Sequence, residues 1–164
     1  EVAHYAATAV AQISKESDLK LQQLERAFKT DPSAQNLNEY CDFLGEYLGS
    51  GLAEGRVAQI QRQQYALLLA RRCEREDTLE LRIRYATALA DVGQIDEAQA
   101  VTDQLVLDVP DEQEVWMLCL RLAVMRRDGD EIHRVIDAID NQHVYLSAAN
   151  REQLAFWRDG EEAR

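Results

Sequence analysis

Residues 79–110, LELRIRYATALADVGQIDEAQAVTDQLVLDVP, decide the fold class of this chain. In the first half of the stretch, apolar residues recur every three or four positions, as one buried face of an α-helix requires. Gly93 interrupts this pattern and can take a positive φ, which closes a helix. A second periodic segment follows and ends at Pro110, whose nitrogen carries no hydrogen for a continuing helix. The stretch therefore predicts two antiparallel helices joined by a tight turn.

The order of residue types in this hairpin resembles a tetratricopeptide repeat. Tyr85-Ala86 and Leu89 stand on the first helix, Asp96-Glu97-Ala98 follow the glycine of the turn, and Pro110 closes the unit. Arg82 and Leu105 depart from the large apolar and small residues that the family usually places there. The resemblance implies a superhelical stack of antiparallel helical hairpins that binds other proteins.

Equivalent positions recur along the chain. Taking Ala27, Ala70, Leu105 and Ile139 as matching core positions of second helices gives separations of 43, 35 and 34 residues. The last two agree with the tetratricopeptide period of about 34 residues. The first is longer, which predicts an extended loop or an extra helical turn at the glycine-rich connection, residues 49–55.

The helix expected after Pro110 has two apolar faces. Trp116, Cys119 and Leu120 lie with Ala123 on one face, and a second face is formed by other apolar residues, which predicts burial on both sides. The second face consists of Val115, Leu118, Leu122 and Met125.

We therefore expect an all-α fold, a tetratricopeptide-like superhelical stack of antiparallel helical hairpins with a C-terminal capping helix. One domain over residues 1–164 is the default at this length. The expected hairpins are 1–32, 35–76, 79–110 and 113–141, and the capping helix is 147–159, with Ser147 as its N-cap.

The charge balance excludes some partners. Thirty acidic and 18 basic residues give a net charge of −12, which repels phosphate backbones, so no nucleic acid is expected. No stretch approaches the roughly 18 apolar residues of a membrane span, so this segment is not expected to insert directly into a membrane. Several arginines gather locally and would suit either an acidic or phosphorylated partner or, as is commoner, a solvated helix face. They are Arg71, Arg72, Arg75, Arg82 and Arg84.

Residues that could carry chemistry are present but do not form a recognisable site. The three histidines lack partners at metal-ligand spacing, and the three cysteines have neither a Cys-x-x-Cys spacing nor a nearby base. Residues 128–131, DGDE, begin like a calcium loop but lead into a helix, so a hairpin turn is the preferred interpretation. We expect no catalytic residues, no metal site, no cofactor and no enzymatic activity. The residues concerned are His4, His133, His143, Cys41, Cys73 and Cys119.

Candidate partner-binding residues lie beside the apolar stripes of the first helices, which a hairpin stack presents along a concave groove. Phe43 is the leading candidate because it is an aromatic residue off the stripe, and Trp116 is next. Covering the core is the alternative role of each candidate. The full set is Tyr5, Glu39, Phe43, Glu46, Tyr47, Ile83, Thr87, Asp91 and Trp116.

Three segments, LNEYCDFLGEYL at 37–48, GLAEG at 51–55 and HVYLS at 143–147, resemble the tetratricopeptide subunit of the bacterial Pel exopolysaccharide machinery. The resemblance implies a cytoplasmic domain that a preceding segment, not in this chain, tethers to the inner membrane. It further implies other protein subunits as partners, among them a membrane-bound cyclic-di-GMP receptor, and support of a polysaccharide synthase complex for biofilm formation.

The expected function is thus a non-catalytic protein–protein interaction scaffold in a membrane-associated assembly for exopolysaccharide synthesis and secretion. Two alternatives remain open. A peptide-binding cochaperone-type module would grip a carboxylate through basic groove residues, which the acidic groove disfavours. A helical regulatory domain for a small ligand would need a polar, enclosed pocket.

Overall fold

In the computed structural model, the backbone is described for residues 2–53 and 55–162, and the side chains for 12–53 and 55–158. These residues form α-helices joined by short connections, and none of them lies in a strand. The predicted all-α, tetratricopeptide-like fold of stacked hairpins is confirmed. The helices are α1 (Val2–Thr30), α2 (Ala34–Gly49), α3 (Gly55–Cys73), α4 (Leu79–Asp91), α5 (Ile95–Asp108), α6 (Gln113–Arg126), α7 (Gly129–Asn141) and α8 (Ala148–Glu162).

The chain divides into two compact units, Glu1–Glu76 and Asp77–Arg164. The N-terminal unit contains α1 to α3, and the C-terminal unit contains α4 to α8. A single domain over residues 1–164 stays a prediction.

In the N-terminal unit, α2 is the central helix and packs against both α1 and α3. Ser33 caps α2 by accepting a hydrogen bond from the Asn36 amide, which satisfies one of the unpaired N–H groups at a helix start. Gly45 lets α3 approach closely, because the ring of Tyr65 lies where a larger residue at 45 would place its Cβ. The buried residues of α2 are Leu37, Tyr40, Cys41, Leu44 and Tyr47.

The first predicted hairpin, residues 1–32, is wrong. Residues 2–30 form one continuous helix because this segment contains neither Gly nor Pro, and so nothing interrupts the helical hydrogen bonds. Ala27, expected in the core, is exposed, whereas Leu21 is buried and Phe28 is half-buried. Helix α1 packs mainly against α2, so it needs one narrow apolar stripe, and Ala27 lies off that stripe.

The glycine-rich connection between α2 and α3 is an irregular loop. Of the two forms predicted for it, an extended loop or an extra helical turn, the loop is the one present. It joins Gly49, the last residue of α2, to Gly55, the first residue of α3. Gly51 has a φ of 73°, in the left-handed region that favours glycine. The loop has five residues where the turn between α4 and α5 has three, so it contributes only part of the longer separation before Ala70.

In the C-terminal unit, each helix packs against the next along the chain, and α4 also contacts α6. The tight turn after α4 has the expected form, with Gly93 at a φ of 80°. The predicted burial of α6 on both sides is confirmed, except that Met125 is 42% exposed. One face of α6 packs in a cluster with α7 and α8, and the other packs with α4 and α5.

Polar side chains fix the starts of the last two helices. Asp128 accepts a hydrogen bond of 3.0 Å from the Glu131 amide, so residues 128–131 form the predicted hairpin turn with a capped helix. Ser147 accepts from the Asn150 amide at 3.3 Å, as its predicted N-cap role requires. The side-chain oxygen Oε1 of Gln113 accepts from the Ser147 amide at 2.9 Å and from Asn150 Nδ2 at 3.1 Å, which ties α8 to the start of α6.

Candidate protein-binding surfaces

The predicted residues on α2 divide into two groups. Glu39 and Glu46 are exposed. Phe43 is half-buried, with Lys20 Nζ of α1 lying 4.4 Å from its ring centroid. Tyr47 is buried. Helix α1 therefore covers part of the aromatic surface that the sequence suggested for a partner and leaves the two carboxylates accessible.

Tyr47 is held by a short hydrogen bond. Its hydroxyl donates to Asp18 Oδ1 at 2.5 Å, joining α2 to α1. This hydrogen bond, together with burial and the Asp18 charge, raises the pKa of Tyr47 to about 12. The hydroxyl thus stays protonated and structural. The remaining candidate partner-binding residue of this unit, Tyr5, lies outside the residues whose side chains are described.

The predicted residues on α4 share one side of the helix because they are four positions apart. Ile83 and Thr87 are half-buried, and the Thr87 hydroxyl donates to the Ile83 carbonyl at 2.8 Å. Asp91 is exposed and pairs with Arg121 of α6 at 2.5 Å. The three residues lie together on the side of α4 nearest α6, where Asp91 already has a cationic partner.

Trp116 is a core residue with 6% of its surface exposed. Its indole N–H donates to the Pro110 carbonyl at 2.6 Å, so both the apolar ring and its polar nitrogen are satisfied inside the unit. Trp116 therefore has the alternative role considered for it, which is to cover the core. Its ring also lines a groove.

This α5–α7 groove, about 350 Å³ in volume, opens between α5 and α7 above two buried residues of α6, Trp116 and Cys119. Leu107 lies at its edge with 76% of its surface exposed. The remaining lining residues are mixed in character, with aliphatic side chains between charged or polar ones. They are Gln99, Asp103, Val106, Glu131, Arg134, Val135 and Ala138.

The titratable groups of the groove favour binding over catalysis. Burial, together with the nearby charges of Asp103 and Glu131, raises the pKa of Cys119 to about 12. The thiol therefore stays protonated and is a poor nucleophile at neutral pH. Glu131 is paired with Arg134, three positions along α7. The groove offers an apolar floor and a charged rim.

A second surface, on α3, was missed by sequence reasoning. Val57, Ile60 and Leu67 are 62%, 55% and 67% exposed. The opposite side of the helix is buried in the unit, as at Leu68 and Leu69. The sequence carried a signal, since α3 has apolar residues around its whole circumference, and such helices are usually covered on both sides.

The arginine group seen in the sequence is largely neutralised within the chain. Arg72 pairs with Asp42 at 2.6 Å, Arg82 with Asp108 at 2.7 Å, and Arg84 with Glu80 at 2.7 Å. The hydrogen bonds from Arg82 and from Gln104 lower the pKa of Asp108. The exposed pair of Arg84 agrees with the preferred interpretation of the arginines as parts of solvated helix faces, whereas Arg72 is buried.

Among the residues that the structure describes, no group of three or more His, Cys, Asp and Glu side chains could hold a metal ion. The helices of the same residues include none with both the length and the apolar content needed to cross a membrane.

The helix pairing of the C-terminal unit agrees with a comparison with known families. Residues 66–122 match the family model of the tetratricopeptide repeat. The match begins in the second half of α3, contains α4 and α5, and ends in α6. No curated protein and no solved structure gave a significant match to the chain.

The tetratricopeptide match, with the all-helical fold of the described residues, supports a tetratricopeptide-like stack of helices. The matched segment contains four of the candidate partner-binding residues predicted from the sequence, including Trp116. It also supplies one wall and the floor of the α5–α7 groove. Tetratricopeptide repeats imply other proteins as partners. The four residues are Ile83, Thr87, Asp91 and Trp116.

Proposed function

We propose that this chain is a non-catalytic protein–protein interaction scaffold. The observation that carries the proposal is Leu107, which lies 76% exposed at the edge of the α5–α7 groove within the tetratricopeptide segment. An aliphatic side chain beside a groove with an apolar floor gains free energy when a partner covers it.

The chemistry of the groove supports a binding role in preference to catalysis. Cys119 is protonated and buried, and Glu131 forms an ion pair, so these side chains lack the activated nucleophile and free base of covalent catalysis. Asp103 and Glu131 give the rim two carboxylates against one guanidinium. That balance favours a partner segment with an apolar anchor and basic neighbours, and it disfavours the cochaperone alternative, which needs a basic groove.

Site-specific photo-crosslinking tests the proposal. A benzophenone amino acid replaces Leu107 in one variant and Leu19 of α1, another exposed leucine (56%), in the control. We expect a discrete crosslinked protein at position 107, identified by mass spectrometry, and none of the same mass at position 19. With that protein purified, Leu107→Asp should weaken binding about tenfold, equivalent to about 1.4 kcal/mol. Equal crosslinking at both positions, or unchanged affinity in Leu107→Asp, would contradict the proposal.

We further propose that the scaffold serves an assembly for exopolysaccharide synthesis and secretion. The support is the resemblance of residues 37–48, 51–55 and 143–147 to the tetratricopeptide subunit of the Pel machinery. The chain would then lie in the cytoplasm, tethered to the inner membrane by a preceding segment, and contact a membrane-bound cyclic-di-GMP receptor. Co-expression with such a receptor tests this proposal: it predicts co-purification with the wild-type chain, and recovery of the chain without the receptor would refute it.

A further inference from the structure

Another exposed surface lies on the N-terminal unit and contains none of the groove residues. We infer that the outward face of α3 binds an acidic amphipathic helix of a partner protein. The inference rests on the scaffold role proposed above, but it concerns different residues and predicts the chemistry of the partner.

The surface is a single line of side chains along α3. Val57, Ile60, Gln64, Leu67 and Arg71 follow one another at steps of three and four residues, so they share one side of the helix. The line spans about 21 Å at about 1.5 Å per residue. We call these five residues the α3 outer stripe. Its length matches a partner helix of about four turns.

The charge of this helix is opposite to that of the whole chain. Between residues 55 and 73 there are four arginines and no acidic residue, although the chain carries a net charge of −12. Arg56 lies beside the stripe, and among the described residues no ion pair joins Arg56 or Arg71 to a carboxylate. Arg71 lies over the Phe28 ring, with its guanidinium carbon 5.9 Å from the ring centroid, which holds it at one end of the stripe.

An acidic amphipathic helix fits these observations because it supplies apolar side chains to cover the stripe and carboxylates to pair with the arginines. Its apolar side chains, at the same three- and four-residue spacing, would cover Val57, Ile60 and Leu67. Glutamates flanking them would meet Arg56 and Arg71, and guanidinium groups bind carboxylates in a two-pronged geometry. Apolar contact would supply the affinity, and the arginines would select the sign of the partner's charge.

Two other occupants fit less well. A membrane-surface helix needs a broad apolar face with large side chains, whereas Gln64 stands within the stripe and none of its residues is aromatic. A second copy paired symmetrically through α3 would place arginines of one chain against arginines of the other, which is repulsive. The charge pattern therefore favours a different, acidic protein.

Fluorescence anisotropy with defined peptides tests the inference on the full chain. The probe is a synthetic labelled helix of about 16 residues with leucines on one face and glutamates on its flanks, and the control peptide has lysines instead. We expect the acidic peptide to bind with a Kd on the order of 10 μM that rises with salt, and the basic peptide to bind at least about tenfold more weakly.

Two variants locate the site, and a third is the matched control. Ile60→Glu with Leu67→Glu should raise the Kd of the acidic peptide about tenfold or more. Arg56→Glu with Arg71→Glu, which keeps the apolar residues, should do the same and abolish the salt dependence. Leu19→Glu, a similarly exposed position on α1, should leave the Kd within about twofold of wild type. Circular dichroism establishes that each variant is folded.

Several results would overturn the inference. They are unchanged peptide affinity in both stripe variants, stronger binding to phosphatidylglycerol vesicles than to the peptide, and self-association that both stripe variants abolish. Failure here would leave the crosslink at Leu107 intact. Conversely, loss of that crosslink with retained peptide binding would reject the groove and keep the α3 outer stripe.

Discussion

Arg72 of α3 and Asp42 of α2 form an ion pair with 2.6 Å between Nη1 and Oδ1, and the two side chains are exposed to very different extents. The arginine side chain is 10% exposed and the aspartate side chain is 50% exposed. Removing the carboxylate therefore leaves a cation with little access to water, whereas removing the guanidinium leaves a carboxylate that water can solvate.

The asymmetry of this pair predicts unequal costs. Asp42→Ala should lower the free energy of unfolding by about 1–2 kcal/mol, and Arg72→Met, which keeps an apolar side chain in the same space, by less than about 1 kcal/mol. Urea unfolding followed by circular dichroism measures both values. A larger loss in Arg72→Met than in Asp42→Ala would show that packing of the arginine stem outweighs the charge.

The Tyr47–Asp18 hydrogen bond predicts a pH dependence at alkaline pH. The pKa of Tyr47 in the folded chain is raised from 10.0 to about 12, so the folded state retains the proton that the unfolded state loses first. Its stabilising contribution is complete below pH 10 and is lost as the pH rises to about 12. Tyr47→Phe should cost about 1 kcal/mol at neutral pH, and the difference from wild type should shrink above pH 10.

Urea unfolding of wild type and Tyr47→Phe at several pH values measures this effect. Asp18→Asn serves as the companion variant, because it removes the negative charge but keeps an acceptor, and it should lower the pKa of Tyr47 in a titration followed by tyrosinate absorbance. A stability difference independent of pH up to 12 would contradict the assigned hydrogen bond.

Gly45 predicts a packing effect that opposes helix propensity. A Cβ at this position would lie 2.7 Å from Tyr65 Oη and 3.0 Å from Cζ, so the whole ring must shift. Overpacking typically costs about 1–3 kcal/mol, and the gain in helix propensity from Gly to Ala returns about 1 kcal/mol. Gly45→Ala should therefore lower the free energy of unfolding by about 1 kcal/mol.

Gly49, on the same helix, provides the matched control, since nothing lies within 4 Å of its virtual Cβ. Gly49→Ala should leave stability unchanged or raise it by up to about 1 kcal/mol. Thermal melts of the two variants decide the matter. Equal or higher stability of Gly45→Ala relative to Gly49→Ala would mean that Tyr65 yields without cost.

The Asp128 cap predicts a local loss of stability and no calcium effect. Asp128→Ala removes the acceptor for the Glu131 amide and should cost about 1 kcal/mol. Asp130→Ala, in the first turn of α7 but not at the cap, should cost about 0.3 kcal/mol. Millimolar calcium should not change the melting temperature of the wild type, and a rise would indicate a metal-binding loop instead of a cap.

The sequence predicted the parts of the fold that local chemistry determines. Gly93 and Pro110 marked the ends of α4 and α5, and residues 128–131 marked the turn before α7, because turns depend on a few neighbouring residues. The two apolar faces of α6 predicted its burial on both sides. The prediction of a hairpin at residues 1–32 is wrong because no residue type within 2–30 interrupts a helix.

The candidate site was less predictable, because exposure depends on which helices pack against each face. Phe43 stood off the apolar stripe of α2, yet Lys20 of α1 lies over its ring. Trp116 is both a buried core residue and part of the floor of a groove. No local sequence pattern distinguishes these two roles. Conversely, nothing in the sequence around Leu107 indicates that this residue is exposed. Its exposure depends on how α5 and α7 pack.

Helix α8 is held against its neighbours at several points. The Ser147 backbone amide and the Asn150 side chain donate to Gln113 Oε1 near its start, and Arg158 pairs with Asp140 of α7 at 2.6 Å further along. Between these contacts, Leu154 joins the apolar cluster of α6 and α7. Helix α8 therefore occupies the flank of α7 on which a further hairpin would otherwise stack, as the terminal helix of a repeat array does.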